Sequence, residues 1–353
     1  MPLIDFNESN ISKESLPEKK KHLQENLVDV SNILPKENIT KSNIKDYYRK
    51  KGFILISQSL ITKLIDKRQE EVIFCPRYIH ESYILKSIDT IATEPMQGGS
   101  YFETGCLGSG VGGKKTIDLP RKVLSKAKIA QLIAEGKPLI GEKKIDQLRI
   151  DIQIERFKLR CQELGINIIP DVNTQIPIIK TYDNKYLVSG ELDIFPTTIM
   201  YENCIRAAII DLKLSGDVNN TSGHYCWGTP QYMDPIQGDM YHYLIRDIDF
   251  NLNPHLKEII NQGLIDAIKL NQVLFLYWIF GKKEPLHNQE KFVEREYNPM
   301  NIQELKERIR KTIYIIEREE QFGWIENPCD NCNNCALNKS YGGECQSSII
   351  RKV

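Results

Sequence analysis

Two short segments in the middle of the chain, Gly190-Glu191-Leu192-Asp193 and Asp211-Leu212-Lys213, carry residue types suited to chemistry at a phosphate. The second closes an apolar run, Ala207-Ala208-Ile209-Ile210, of the kind that forms a buried strand. Side chains at i and i+2 of a strand share a face, so Asp211 and Lys213 point the same way. Charges leaving an apolar strand need partners, because burying them alone is costly. Residues 185–195 form another strand-like run and offer Asp193. If the two strands pair, two carboxylates and one lysine converge at one spot. Mg²⁺ or Mn²⁺ takes oxygen ligands in octahedral geometry and keeps several waters. Asp193, Asp211, the Leu212 carbonyl and Glu103 fit that ligand count. Such a cation polarises a phosphate and acidifies a bound water, and Lys213 would orient that water or offset growing negative charge. A surface ion pair between Asp211 and a nearby lysine is the reading without chemistry.

The elements that must position these groups follow from periodicity. Residues 1–50 are polar and charged and read as a solvated extension with some helix. Helical patterns occupy 57–68, 76–91, 119–134, 143–164, 235–247 and 302–321, while 98–113 is a glycine-rich stretch around a short apolar piece. Strand-like runs occupy 166–169, 175–181, 185–195, 204–214 and 272–280, with Asp183-Asn184 as a hairpin turn. The expected fold is α/β, a central mixed sheet, largely antiparallel, flanked by helices. With 353 residues and 41% of them apolar, the chain can bury a sizeable core. Lysine plus arginine balance aspartate plus glutamate at 47 each, so no global field marks a nucleic-acid partner, although a local basic groove is compatible with that balance. The N-terminus lacks a secretory pattern and the longest apolar stretch, 273–280, is too short for a bilayer, so a cytoplasmic protein without membrane partners is expected.

In the cytoplasm the nine cysteines call for an explanation other than disulfides. Cys75, Cys106, Cys161, Cys204 and Cys226 are scattered, whereas Cys329, Cys332, Cys335 and Cys345 crowd the C-terminus at a ligand-like spacing. Four thiolates suit either structural zinc or an iron–sulfur cluster.

The ordered set Gly190…Asp193, Asp211…Lys213 and Gln237…Tyr241 resembles the PD-(D/E)XK nuclease superfamily in its RecB-like branch, which includes phage recombination exonucleases and CRISPR-associated exonucleases. Ser57-Gln58-Ser59, Cys75-Pro76-Arg77 and Gly99…Glu103 match further motifs of that branch in the same order, and the resemblance spans roughly residues 53–345. It implies a restriction-endonuclease-like core over 51–327, a cysteine-ligated appendage over 328–353, and a DNA nuclease that trims ends in recombination, repair or replication. A phage or mobile-element setting and a helicase or recombination protein as partner follow from the same resemblance. Family members often carry histidine where Glu103 stands. The resemblance assigns Gln237 and Tyr241, on one helical face, to substrate backbone or to Lys213, with a core-facing helix as the alternative. It also implies a [4Fe–4S] cluster held by Cys75 and three terminal cysteines. Cys332, Cys335 and Cys345 match best and Cys329 is the spare; a self-contained four-cysteine zinc knuckle is the alternative.

Other motifs compete. Residues 108–115, Gly-Ser-Gly-Val-Gly-Gly-Lys-Lys, nearly spell a phosphate-binding loop, which would make the chain a nucleotide hydrolase, but Lys115 stands where Ser or Thr should hold Mg²⁺. Lys114, Lys115, Arg121, Lys122, Lys126 and Lys128 could instead track a DNA backbone or form an ordinary solvated face. Trp227 could stack a base or pack in the core, and His224 in the same loop is a weak candidate. A DNA-binding or assembly protein on a nuclease scaffold, without catalysis, is the remaining alternative.

Overall fold

Leu274–Gly281 reads as eight residues without a charge, and every one of them is buried. A strand of that kind belongs at the centre of a sheet covered on both faces. The computed structural model describes residues 39–65, 75–88, 94–108, 119, 121, 124–138, 140, 143–170, 172–216, 218, 235–283 and 290–324, and it places this strand so. The strands are β1 (Ile54–Ser57), β2 (Thr174–Thr181), β3 (Tyr186–Tyr201), β4 (Cys204–Ser215), β5 (Leu274–Gly281) and β6 (Glu290–Glu294), in one sheet with the path β1-β3-β4-β5-β6. The β1–β3 and β4–β5 pairs are parallel, while β2–β3, β3–β4 and β5–β6 are antiparallel. The sheet is therefore mixed, as the sequence leads one to expect.

Alternate residues of β5 feed two cores. Phe275, Tyr277 and Ile279 pack with α2 (Gln58–Ile65), α7 (Pro235–Ile245) and α9 (Pro299–Phe322). Leu274, Leu276, Trp278 and Phe280 pack with α4 (Glu94–Leu107) and α6 (Ile145–Leu164). The remaining α-helices among the described residues are α1 (Ile44–Lys50), α3 (Pro76–Ile79), α5 (Lys126–Ala134) and α8 (Gln262–Lys269). Proline at the first position starts α3 after Cys75, and the chain continues as a π-helix over His80–Leu85, closed by Lys86 in the left-handed region.

Several expectations are corrected. Residues 166–169 form no strand; Ile166 is buried, but the segment is irregular. The glycine-rich stretch begins as helix, since α4 runs to Leu107. A Cβ at Gly105 would stand 2.4 Å from Ile154 Cδ1, so the glycine lets α4 lie close against α6. Residues 44–50, counted with the solvated extension, form α1, which buries Ile44 and Tyr48; the Tyr48 hydroxyl donates to Leu252 O at 3.1 Å. Asp183 does make the β2–β3 turn, its Oδ1 accepting from the amides of Lys185 and Tyr186 at 2.8 Å each. Residues 1–38, the 109–118 loop, Trp227, His224 and Cys226, and the terminal cysteines with the proposed appendage lie outside the described residues.

Candidate active site

The placement of the acidic cluster follows from how β3 changes partners. Along residues 187–194 one edge of β3 carries β2. At Tyr186–Ser189 the other edge pairs with β1, and from Ile194 onward it pairs with β4. Between these two pairings, Gly190–Asp193 has no strand on that edge among the described residues, so the sheet forks there. The amide of Leu212 on β4, just past the last β3–β4 pair Ile194↔Ile210, donates to Asp193 Oδ2 at 2.8 Å. A side chain thus takes the place of a ladder partner, answering the requirement that a buried backbone donor be satisfied.

Asp211 and Lys213 leave β4 on one side, as period-two geometry requires, and form an ion pair. Asp211 is buried at 1% exposure, and α7 lies over it. Gln237 Nε2 donates to Asp211 Oδ1 at 2.9 Å and lies 3.1 Å from the Tyr241 hydroxyl, which donates to Glu191 O at 2.8 Å. Gly190 permits this approach, because a Cβ there would meet Leu244 Cδ1 at 2.5 Å and Tyr241 Cε1 at 3.3 Å. Gln237 and Tyr241 therefore contact the acidic pair, and Tyr241 is also a core residue, so both readings of that helical face hold together.

Burial pushes the Asp211 carboxyl above its ordinary range, against the pull of Lys213, and the charge of Glu103 pushes the same way. Burial alone would lower the Lys213 ammonium, but Asp211, Asp193 and Glu103 outweigh it and hold it above its ordinary value. Lys213 is then protonated at neutral pH and acts as a cation and hydrogen-bond donor. The Tyr241 phenol is pushed far up by burial and by Asp211, so it stays a donor too.

Glu103 on α4 accepts from Gln175 Nε2 at 2.6 Å. Sequence reasoning gave Gln175 no role. It lies at 1% exposure in β2, level with Asp193 between the pairs Thr174↔Ile194 and Ile176↔Leu192, with a left-handed backbone at φ +48°. That conformation is uncommon outside glycine and costs on the order of 1 kcal/mol or more, which the surrounding structure must hold. No sequence signal marks it.

Among the described residues, no group of three or more His, Cys, Asp or Glu side chains is placed so that it could hold a metal ion. Cys106 on α4 and Cys161 on α6 sit in the core, and burial pushes both thiols up, Cys161 to about 12. They are packing residues rather than reactive thiolates. Cys75 is buried beside Tyr78 and Ile88. Of the basic stretch, Lys126 and Lys128 stand on α5, which buries none of its residues, and Ser125 caps its start by accepting from the Lys128 amide at 3.2 Å. No helix among the described residues is long and apolar enough to cross a membrane.

No family model matches the sequence. No curated protein matches it either. Among solved structures, a crystal structure from Eubacterium rectale, provisionally described as an exonuclease, is similar at 14% identity and a TM-score of 0.46, over 85% of this chain and 93% of that one.

Proposed function

We propose that the chain is a metal-dependent nuclease that hydrolyses phosphodiester bonds of DNA, as an exonuclease acting at ends. The observation that carries this reading is the meeting of Asp193, Asp211 and Lys213 at the fork of the sheet, with Gln237 bonded to Asp211 and Glu103 near enough for its charge to act on Asp211 and Lys213. The donor set fits a hard divalent cation in kind: its ligating atoms are oxygens, its carboxylates outnumber the one ammonium, and burial disfavours the charge on Asp211. Asp193, Asp211, the Leu212 carbonyl and Glu103 would hold Mg²⁺ or Mn²⁺, which when bound supplies Lewis acidity at the phosphate and a more acidic water.

The chain's own residues do the positioning. Gln237 fixes one oxygen of Asp211, and the Leu212 amide fixes one of Asp193, so neither carboxylate has to reorganise during reaction. Lys213, charged at neutral pH, offsets negative charge growing on the phosphate and orients the attacking water. A DNA-binding or assembly protein on the same scaffold is the second reading, favoured by Lys213 already neutralising Asp211.

A cysteine-held cluster, [4Fe–4S] or structural zinc, belongs to the proposal. Its support is that His80, five residues after Cys75, stacks at 4.8 Å on Trp324, five residues before Cys329. That contact leads the two ends of the core toward each other.

Cleavage of end-labelled single- and double-stranded DNA, with Mg²⁺ or Mn²⁺ titrated against chelator, tests the assignment. Asp211→Asn and Lys213→Ala should each abolish cleavage by about a hundredfold or more while circular dichroism stays native. Full activity in either variant refutes the site; a parent protein that binds DNA without cutting it leaves the scaffold reading.

A further inference from the structure

A second feature lies beside the acidic cluster, on the face of β2 and β3 that α1 covers. Lys41, Ser42, Lys45, Asp46 and Arg49, from α1 and the turn before it, enclose with Gln175, Pro177 and Glu191 a cavity of about 140 Å³. Lys45 and Arg49 stand four residues apart on α1 and so share one helical face, and Lys41 enters from the turn before it. Lys45 pairs with Glu191 at 2.7 Å, Arg49 with Asp46 at 2.7 Å, and Lys41 Nζ donates to Thr174 O at 2.5 Å. Three cations against two acids leave the cleft net positive. Lys86 adds to this side, since Arg49 and Lys45 are close enough to depress its ammonium, on top of a larger effect of burial.

Two polar atoms at the cleft are buried without a partner. One is a donor, Arg49 Nε; the other is an acceptor, Gln175 Oε1, on a side chain that is almost wholly buried. Buried groups of this kind are satisfied in the working state of a protein, by water or by a ligand. The cavity is smaller than the few hundred cubic ångströms that enclose a whole small molecule, and it suits a single charged group. Its wall also connects to the active site by two routes. Gln175 holds Glu103 through its other amide atom, at 2.6 Å. Glu191 precedes Asp193 by two residues, roughly 7 Å along a strand.

We propose that the cleft between α1 and the β2–β3 ladder is a backbone subsite that takes a phosphate of the nucleic-acid strand next to the one at Asp193 and Asp211, with Lys45 and Arg49 as its phosphate contacts. The proposal rests on the reading of the chain as a nuclease. A phosphate displaces Glu191 and Asp46 from the two cations and meets Arg49 Nε, while Gln175 Oε1 accepts from an amino group on the edge of the base that follows. Gln175 then reports occupancy to Glu103, because one amide bridges both.

Equilibrium binding of short labelled single-stranded and duplex DNA, in chelator so that nothing is cut, is measured over a series of salt concentrations. Lys45→Gln/Arg49→Gln should bind more weakly and lower the slope of log affinity against log salt by about 1.4 for single strands and about 1.8 for duplex, two contacts at roughly 0.7 and 0.9 each. Arg308→Gln/Arg310→Gln on α9 should leave the slope unchanged, and in cleavage the cleft variant should raise KM with kcat little altered. An unchanged slope in a cleft variant whose parent binds DNA overturns the subsite and leaves the nuclease reading intact. A parent that neither binds nor cuts DNA overturns both. Should the double variant fail to fold, Lys45→Gln alone, at a position 28% exposed, carries the same test with half the slope change.

Discussion

Replacing Gly190 by alanine tests whether α7 owes its place over Asp211 to the absence of a side chain in β3. The added Cβ would lie 2.5 Å from Leu244 Cδ1 and 3.3 Å from Tyr241 Cε1, closer than packed carbon atoms tolerate. Leu244 is 1% exposed and sits in the larger core, so its methyl has little room to yield. Overpacking of that kind costs about 1–3 kcal/mol, and removing a glycine from a strand returns about 0.5–1 kcal/mol. The net expectation is a loss of about 0.5–2 kcal/mol, read as a lower urea midpoint at unchanged slope. Activity should fall further than stability, because the displaced ring carries the hydroxyl bonded to Glu191 O and brings Gln237 with it. A shift of a few tenths of an ångström there should slow single-turnover cleavage by about tenfold, given that a full ångström costs on the order of a hundredfold. Leu244→Ala alone should cost about 2–5 kcal/mol. Combined with Gly190→Ala it should cost less than the sum, since each change relieves the other. Gly190→Ala with undiminished stability and full cleavage refutes the packing argument, and simple additivity in the double variant shows that Leu244 is not the obstacle.

Two further outcomes are expected. Cys75→Ser should lower the iron or zinc content of the purified protein and leave its far-ultraviolet dichroism largely native; brown colour with visible absorption in the parent identifies iron, and metal content equal in parent and variant removes Cys75 from the ligand set. Burial lowers the imidazoles of His80, His242 and His255 below their ordinary value of 6.5. A fold that resists protonation binds fewer protons than the unfolded chain, so this contribution is whole above about pH 6.5 and is lost as pH falls below it. Urea midpoints should therefore decline between pH 7 and 5, and His242→Gln, which can keep a bond to Arg295 O, should flatten the decline; a flat parent profile contradicts the assignment.

What could be read from the residues, and what could not, divides along local and non-local lines. Asp193, Asp211 and Lys213 were legible because charges interrupting apolar strands of period two need one another, and a single pairing, β3 with β4, brings them together. That α1 packs into the core was obscured by its composition: Lys45, Asp46, Arg49 and Lys50 outweigh Ile44 and Tyr48, although two buried residues at i and i+4 suffice to seat a helix of seven. Glycines at 98, 99 and 105 left that stretch without an assigned element in the periodicity, whereas α4 runs through all three and Gly105 serves helix packing against Ile154. The role of Gln175 depends on a left-handed backbone and on a partner 72 residues away, neither of which leaves a pattern in sequence.

The fork is the deepest instance of the same division. Parallel pairing of β1 with β3 joins residues more than a hundred positions apart, so nothing local announces that β3 must exchange β1 for β4 on one edge. Yet that exchange leaves Gly190–Asp193 without a strand on one edge among the described residues, opens the Leu212 amide to a side chain, and lets Tyr241 reach Glu191 O. A carboxylate at 193 is thus held by backbone that a continuous sheet would have consumed. The acids are visible in the sequence, and their placement depends on an interruption that only the assembled sheet creates.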